Sequence, residues 1–466
     1  MVTVDEFDVV VIGGGSAGEN VAGRCVECGL SIAVVEAELV GGECSYWACM
    51  PSKTLLRPGH ALAAARRVPG VREAVTGEVD VAAALARRDR ITGDWDDAGQ
   101  VRWLEGARGT LVRGRGRLAG ERVVEVDQRD GSTRRLSAGR AVVVATGSVA
   151  AIPGIEGLRE IRTWDSRDAT SAKDVPRRLL VLGGGAVGVE MAQAWRRLGT
   201  DEVTVIEAHE RLVPNEEPFV GDELAEAFEA EGITVITGAT VVHAARDADD
   251  APVTITLDDG RALTGDELLV AVGRRPHTDD IGLETVGLEP GRYIEVDDQL
   301  RATGVPRGWL YAIGDCNGRS LLTHMGKYQG RIATDAILGR TIEAWADHRV
   351  VPRVVFTDPE IASVGLTERA ARDRAIDVRT VSYPLGNIAA AATHGEGITG
   401  TAHLVIDERR RVLVGATFTG PDIAELLHSA TIAIAGAVPL EVLWHAIPAF
   451  PTFTEVWLRL LEAYGL

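Results

Sequence analysis

Two cysteines stand five residues apart in the run Gly41 to Lys53, GGECSYWACMPSK. A pair at that spacing can close to a disulfide where the chain between is irregular or a distorted helical turn. Gly41 and Gly42 give the backbone room, Pro51 fixes the exit, and Lys53 is a nearby cation able to lower a thiolate pKa. Cys44 and Cys49 would take up two electrons as the bond opens and return them as it closes. The competing reading is a pair of buried, unreactive cysteines. What lies elsewhere in the chain weighs between them. Gly13, Gly14, Gly15 and Gly18 form one glycine-rich run, and Gly183, Gly184, Gly185 and Gly188 form a second.

Each run sits between elements that would aim it. Phe7 to Ile12 (FDVVVI) reads as a strand buried on both faces, with a helix from Ser16 to about Cys28 and a second strand from Ser31 to Val35 ending in Glu36. The pattern returns about 170 residues on, as Arg178 to Leu182, a helix to about Leu198, and Val203 to Ile206 ending in Glu207. In such a unit the first glycine makes the tight turn, the second admits a pyrophosphate to the backbone, and the third lets helix and strand pack closely. The helix N-terminus offers free N–H groups to the phosphates. Glu36 lies 18 residues after Gly18 and Glu207 lies 19 after Gly188, the spacing of a carboxylate that accepts from ribose hydroxyls. Two complete units predict two dinucleotide sites. At the second, the Glu207 carboxylate repels a 2′-phosphate and so favours NAD(H) over NADP(H), a preference that Arg211 tempers. A cysteine pair directly after the first unit favours the redox reading.

Three further apolar strands end in glycine: Val142 to Thr146 before Gly147, Leu268 to Val272 before Gly273, and Trp309 to Ile313 before Gly314 and Asp315. Beyond Arg349 the texture alternates, as in Ala402 to Ile406 and Val412 to Phe418, which predicts an antiparallel sheet. Helices are expected at Ile423 to Ala435 and Thr454 to Ala463. Cys25 and Cys28 fall on one face near the end of the first helix, where packing is the expected role, and Cys316 reads as a small buried residue. Tyr46 and Trp47 either shape a substrate entrance or pack.

The 466 residues suffice for three or four domains. Apolar residues make up 45% and charged residues 25%, a globular balance. A net charge of −19 repels phosphate backbones and anionic bilayers, so neither a nucleic-acid nor a membrane partner is expected. No apolar run reaches the roughly 18 residues of a membrane span. Met1 to Asp8 is acidic and reads as no leader, and five cysteines are too sparse for a secreted disulfide scaffold, so a cytoplasmic setting is expected. No His, Cys and carboxylate set has metal-ligand spacing.

The chain resembles the class I flavoprotein disulfide oxidoreductases of the glutathione reductase, dihydrolipoamide dehydrogenase and mercuric reductase type, over essentially its whole length. Gly41 to Lys53 matches their GGxCxxxxCxPSK, and the two glycine units match their FAD and NAD(P) sites. Ala145-Thr146-Gly147, the run Val272 to Pro276 and the run Ala312 to Asp315 match further motifs, and Phe356 to Glu368 looks like the start of their dimerisation domain. The resemblance implies an α/β fold with two Rossmann-like domains and a C-terminal α+β interface domain. Its boundaries would be 1–150 and 277–348 for FAD, 151–276 for NAD(P) and 349–466 for the interface. It implies FAD held by Gly13, Gly15, Gly18, Glu36, Gly42, Lys53, Thr146, Gly147 and Asp315. It implies NADH held by Gly183, Gly185, Gly188, Glu207 and Gly273. Cys49 would face the flavin as a thiolate, Cys44 would exchange with substrate, and Glu190 would pair with Lys53. Electrons would pass from nicotinamide through flavin to the cysteine pair and on to a disulfide or dithiol, in a homodimer whose partner subunit supplies Glu455. One position departs from the pattern. The family's His-Pro-Thr-x-x-Glu motif reads here Phe450-Pro451-Thr452-Phe453-Thr454-Glu455, so Phe450 stands where a proton-carrying histidine is expected. Either another group substitutes, with His445 nearest in sequence, or the acceptor is a quinone, a small electrophile or a soft metal ion that needs no such proton.

Overall fold

The computed structural model describes residues 4–466. Met1 to Thr3, which open the acidic stretch read above as no leader, lie outside them. The chain divides into two compact units.

The first unit gathers residues 1–51, 89–151 and 274–348. Its sheet is built outward from strand β1 (Val4–Ile12), which pairs in parallel with β2 (Ile32–Glu36) on one side and with Thr133–Val144 on the other. Thr110–Arg113 extends the sheet beyond β2, and Leu310–Ala312 pairs in parallel with the second half of Thr133–Val144. The expected strand at Val142 begins earlier because its first half pairs antiparallel with Val123–Asp127. Val9 and Val11 pack into one apolar cluster and Val10 and Ile12 into another, so the second half of β1 is buried on both faces. Each such side chain contributes roughly 1.5–3 kcal/mol relative to exposure. Helix α1 (Ser16–Glu27) follows the glycine turn, as anticipated, and Cys28 caps it.

The second unit gathers residues 52–88, 152–273 and 349–466. It repeats the parallel plan in the order Ile233–Thr237, Glu202–Glu207, Arg178–Leu182, Glu267–Val270. It also holds a five-stranded antiparallel sheet in which Val412–Gly420 lies between Glu360–Gly365 and Thr401–Asp407. The helix expected from Ile423 starts instead at Leu427, because Asp422 adopts a left-handed φ of 54° and the segment turns before it coils. No helix among the described residues is long and apolar enough to cross a membrane.

Candidate functional site

The two glycine units have the same internal geometry. A methyl at Gly18 would lie 2.0 Å from the Gly13 carbonyl oxygen, and one at Gly188 would lie 1.9 Å from that of Gly183. The third glycine of each unit thus admits the close approach of helix to strand. Gly15 and Gly185 are different. A methyl at Gly15 meets nothing nearer than 3.9 Å, and one at Gly185 meets nothing within 4 Å, so both face open space. The acidic residues reach back to these turns. Glu36 accepts from the Gly14 N–H at 2.7 Å and the Glu38 N–H at 2.7 Å. Glu207 accepts from the Gly184 N–H at 2.6 Å and from the backbone and ring of His209. Burial raises the Glu36 carboxyl above its usual range. At Glu207 burial also raises the carboxyl, but the His209 and Gly184 hydrogen bonds outweigh it and hold it low. Arg211 donates to the Pro214 carbonyl at 3.0 Å.

Within the first unit the separate motifs converge on the first turn. The would-be methyl of Gly13 points at Ala145 and Thr146, and that of Gly314 lies 3.4 Å from the Ala17 Cβ. Ser148 donates to Asp315 at 2.5 Å, and Arg274 donates to the Ser148 hydroxyl at 2.7 Å. Burial pushes the Asp315 carboxyl up, against the pull of Ser148 and Arg274. Gly147 takes a left-handed φ of 73°, and in the second unit Gly273 takes one of 137°. Thr146 Oγ1 is buried without a protein partner. An orphaned hydroxyl beside a turn that faces open space leaves both room and a hydrogen-bond partner for a nucleotide.

The cysteines are seated on the same turn. Helix α2 (Gly42–Tyr46) begins where Gly42, at φ 58°, presses on Gly15, and a methyl on Gly42 would lie 2.8 Å from the Gly15 Cα. Cys44 lies in α2, and Cys49 opens helix α3 (Cys49–Arg67). Both are present as thiols. Cys49 Sγ lies 3.3 Å from the Thr323 hydroxyl. The Cys49 hydrogen bond pulls the Cys44 thiol down to about 5 despite burial, helped by the hydroxyls of Thr323 and Ser16 and the charge of Lys327. Ser16, Thr323 and Lys327 had escaped the sequence reading. Ser16 could have been flagged as the hydroxyl inside the glycine motif, whereas Thr323 and Lys327 sit on the helix Thr323–Ile337, far away in sequence. Tyr46 is buried, with its hydroxyl on the Val40 carbonyl, so it packs, while Trp47 is half-buried.

In the second unit Lys53 Nζ donates to Glu190 at 2.7 Å, and the other Glu190 oxygen accepts the Phe356 N–H at 2.9 Å. Glu455 is buried, accepting from the Ala389 N–H at 3.3 Å and from Arg459 at 2.9 Å. Phe450 is 75% exposed, and His445 is exposed. One expectation fails. Cys25 is fully buried and its thiol is pushed up to about 12 by burial, but Cys28 is exposed at the helix cap and does not pack. The helix ends one residue earlier than read, which turns Cys28 off the buried face. Cys316 is fully buried, as expected.

The description "Pyridine nucleotide-disulphide oxidoreductase" matches residues 7–331, and that of the corresponding dimerisation domain matches 351–460. A dihydrolipoyl dehydrogenase from Chlorobaculum tepidum is 35% identical over 97% of this chain and 95% of its own. One from Mycobacterium tuberculosis is 32% identical over 96% of each. A mercuric reductase from Lysinibacillus sphaericus is 29% identical over 98% of this chain and 82% of its own. Among solved structures, LpdA from Mycobacterium tuberculosis superposes with a TM-score of 0.86 at 26% identity, covering 99% of this chain and 100% of that one. The HOCl-induced flavoprotein disulfide reductase RclA from Escherichia coli has the same fold, with a TM-score of 0.84 at 24% identity over 98% and 99% of the two chains.

Proposed function

This chain belongs to the pyridine nucleotide-disulphide oxidoreductase family, and we propose that it moves electrons from NAD(P)H through FAD to the Cys44–Cys49 pair and from there to a disulfide or dithiol partner. Use of FAD and a pyridine nucleotide belongs to the family, and when bound they supply the two-electron chemistry. The observation that carries the rest is the seating of the cysteine helix on the first glycine turn, with Cys44 and Cys49 hydrogen-bonded to each other. The two sulfurs share a proton, so the thiolate can rest at Cys44 for exchange or at Cys49 on the flavin side. Lys53, fixed by Glu190, holds a positive charge one helical turn beyond Cys49. Glu207, braced on Gly184, favours NADH over NADPH. Glu455 acts from the partner subunit of a homodimer.

A second reading follows from Phe450. Its phenyl ring carries no proton, and losing a general acid costs about 10²–10⁴ in rate. An acceptor reduced directly from the flavin, such as a quinone or a small electrophile, avoids that loss. Anaerobic titration of the purified protein with NADH separates the two. A long-wavelength charge-transfer band at two-electron reduction is expected, from the Cys49 thiolate. Bleaching of the flavin without that band would put the cysteines outside the electron path and favour the second reading. Cys44→Ser is expected to abolish disulfide turnover.

A further inference from the structure

A cleft of about 650 Å³ opens along helix α1. Ser16, Glu19 and Glu27 line it from α1, Trp103 from the helix Ala98–Gly106, and Lys327 and Arg331 from the helix Thr323–Ile337. Ser16 ties its inner end to the redox pair, because its hydroxyl hydrogen-bonds the Cys44 sulfur. Glu19 stands three residues further along the same helix, on the same face as Ser16. A molecule held in this cleft therefore lies against both Ser16, the hydrogen-bond partner of Cys44, and the Glu19 carboxyl.

We infer that Glu19 is the proton donor to the sulfur that leaves when Cys44 opens an acceptor disulfide, the task for which Phe450 has no proton. The inference rests on the reading of Cys44 as the exchanging thiol. In the step, the Cys44 thiolate attacks one sulfur of the acceptor, forming a new S–S bond as the acceptor's own S–S bond breaks. The departing thiolate takes the proton of Glu19, leaving a neutral thiol and a carboxylate, which water in the cleft reprotonates. Cys49 then attacks the Cys44 sulfur, its proton passing to the second sulfur of the acceptor, which leaves as a thiol as the Cys44–Cys49 disulfide closes.

The surroundings suit the role. Burial raises the Glu19 carboxyl to about 7, Lys327 draws it down, and the negative charges of Cys44 and Glu36 hold it up. A donor poised near neutrality is partly protonated at working pH and still acid enough to give its proton up. The charged and titratable groups that face it are Lys327 and Arg331 from one neighbouring helix, Cys44 and Tyr46 from α2, Glu36 from β2, and Arg24 and Glu27 from its own helix. The helix Ala98–Gly106 presents Gly99, Gln100 and Trp103, all uncharged, to the cleft.

The test uses Glu19→Gln in the holoenzyme, with two probe acceptors. A nitrobenzoate disulfide releases a thiol acid enough to leave as its anion, whereas hydroxyethyl disulfide releases a thiol that needs a proton. The ratio of hydroxyethyl to nitrobenzoate turnover is expected to fall on the order of 10²-fold in the variant. Glu19→Asp should recover part of the loss. Iodoacetamide alkylation of Cys44 in the NADH-reduced protein should show an inflection near pH 7 that Glu19→Gln removes. An unchanged ratio together with a retained inflection overturns the inference alone. A wild-type protein that reduces neither disulfide overturns the acceptor reading and this inference with it.

Discussion

The Cys49 hydrogen bond draws the Cys44 thiol down to about 5, which favours the thiolate that the proposed exchange with an acceptor requires. The cause is local. It is chiefly a neighbouring thiol, with two hydroxyls and the charge of Lys327 behind it, so added salt should weaken only the smaller Lys327 contribution. Elsewhere a buried base sets the acid limit of the fold. Burial, with the Arg197 charge beside it, lowers His60 from 6.5 to about 4. A group whose folded pKa lies below its unfolded value stabilises the fold above the unfolded pKa and loses that stability as pH falls toward the folded one. Melting temperature should therefore fall between about pH 6.5 and 4, and His60→Gln should lose less over that window than wild type. A thermal melt series in matched buffers checks this, and equal slopes for the two proteins would refute it.

At the scale of single elements, the glycines of one turn separate stability from binding. A methyl at Gly18 meets the Gly13 carbonyl at 2.0 Å, so Gly18→Ala should destabilise the flavin-free protein by about 1–3 kcal/mol. A methyl at Gly15 has room, with its nearest neighbour at 3.9 Å, so Gly15→Ala should keep the flavin-free stability while lowering the flavin-to-protein ratio. Urea denaturation and visible absorbance measure the two quantities separately. Much of this was legible in the sequence. The two strand–glycine–helix units, their carboxylates and the cysteine run all lie within short stretches whose period and spacing carry the signal. Three things were not legible. Thr323 and Lys327 reach Cys44 from a segment nearly 280 residues away, and no local pattern announces such a contact. Glu19 reads as an ordinary polar helix residue until the cleft beside it is seen. The carboxylates of Glu36 and Glu207 also brace the glycine turns they follow, a backbone bond that spacing alone does not reveal.

For the whole molecule, the dimerisation segment leaves large apolar side chains in solvent: Ile432 at 57%, Val442 at 56%, Ile447 at 88% and Phe450 at 75% exposure. Apolar side chains this exposed in a segment of that family mark a surface that a second copy would cover. Ile447→Glu should shift sedimentation from dimer toward monomer and, if Glu455 acts from the partner, reduce turnover in proportion. A wild-type protein that sediments as a fully active monomer would remove Glu455 from the reaction. The net charge of −19 adds a general repulsion between copies, so association should tighten as salt rises toward physiological strength.

The contact between Gly42 and Gly15 sets a condition on anyone who would transplant this chemistry. The thirteen-residue cysteine run looks portable, a cassette with its own glycines, proline and lysine. Yet its first turn fits because Gly42 bears no side chain where it meets the Gly15 backbone, and that backbone lies in a different element. A graft that carries alanine in place of Gly42 would drive a methyl into that backbone, tilt the helix and displace both sulfurs. The unit that must be carried over is a pair of surfaces, discontinuous in sequence, and directed evolution of either half alone should stall until the other changes with it.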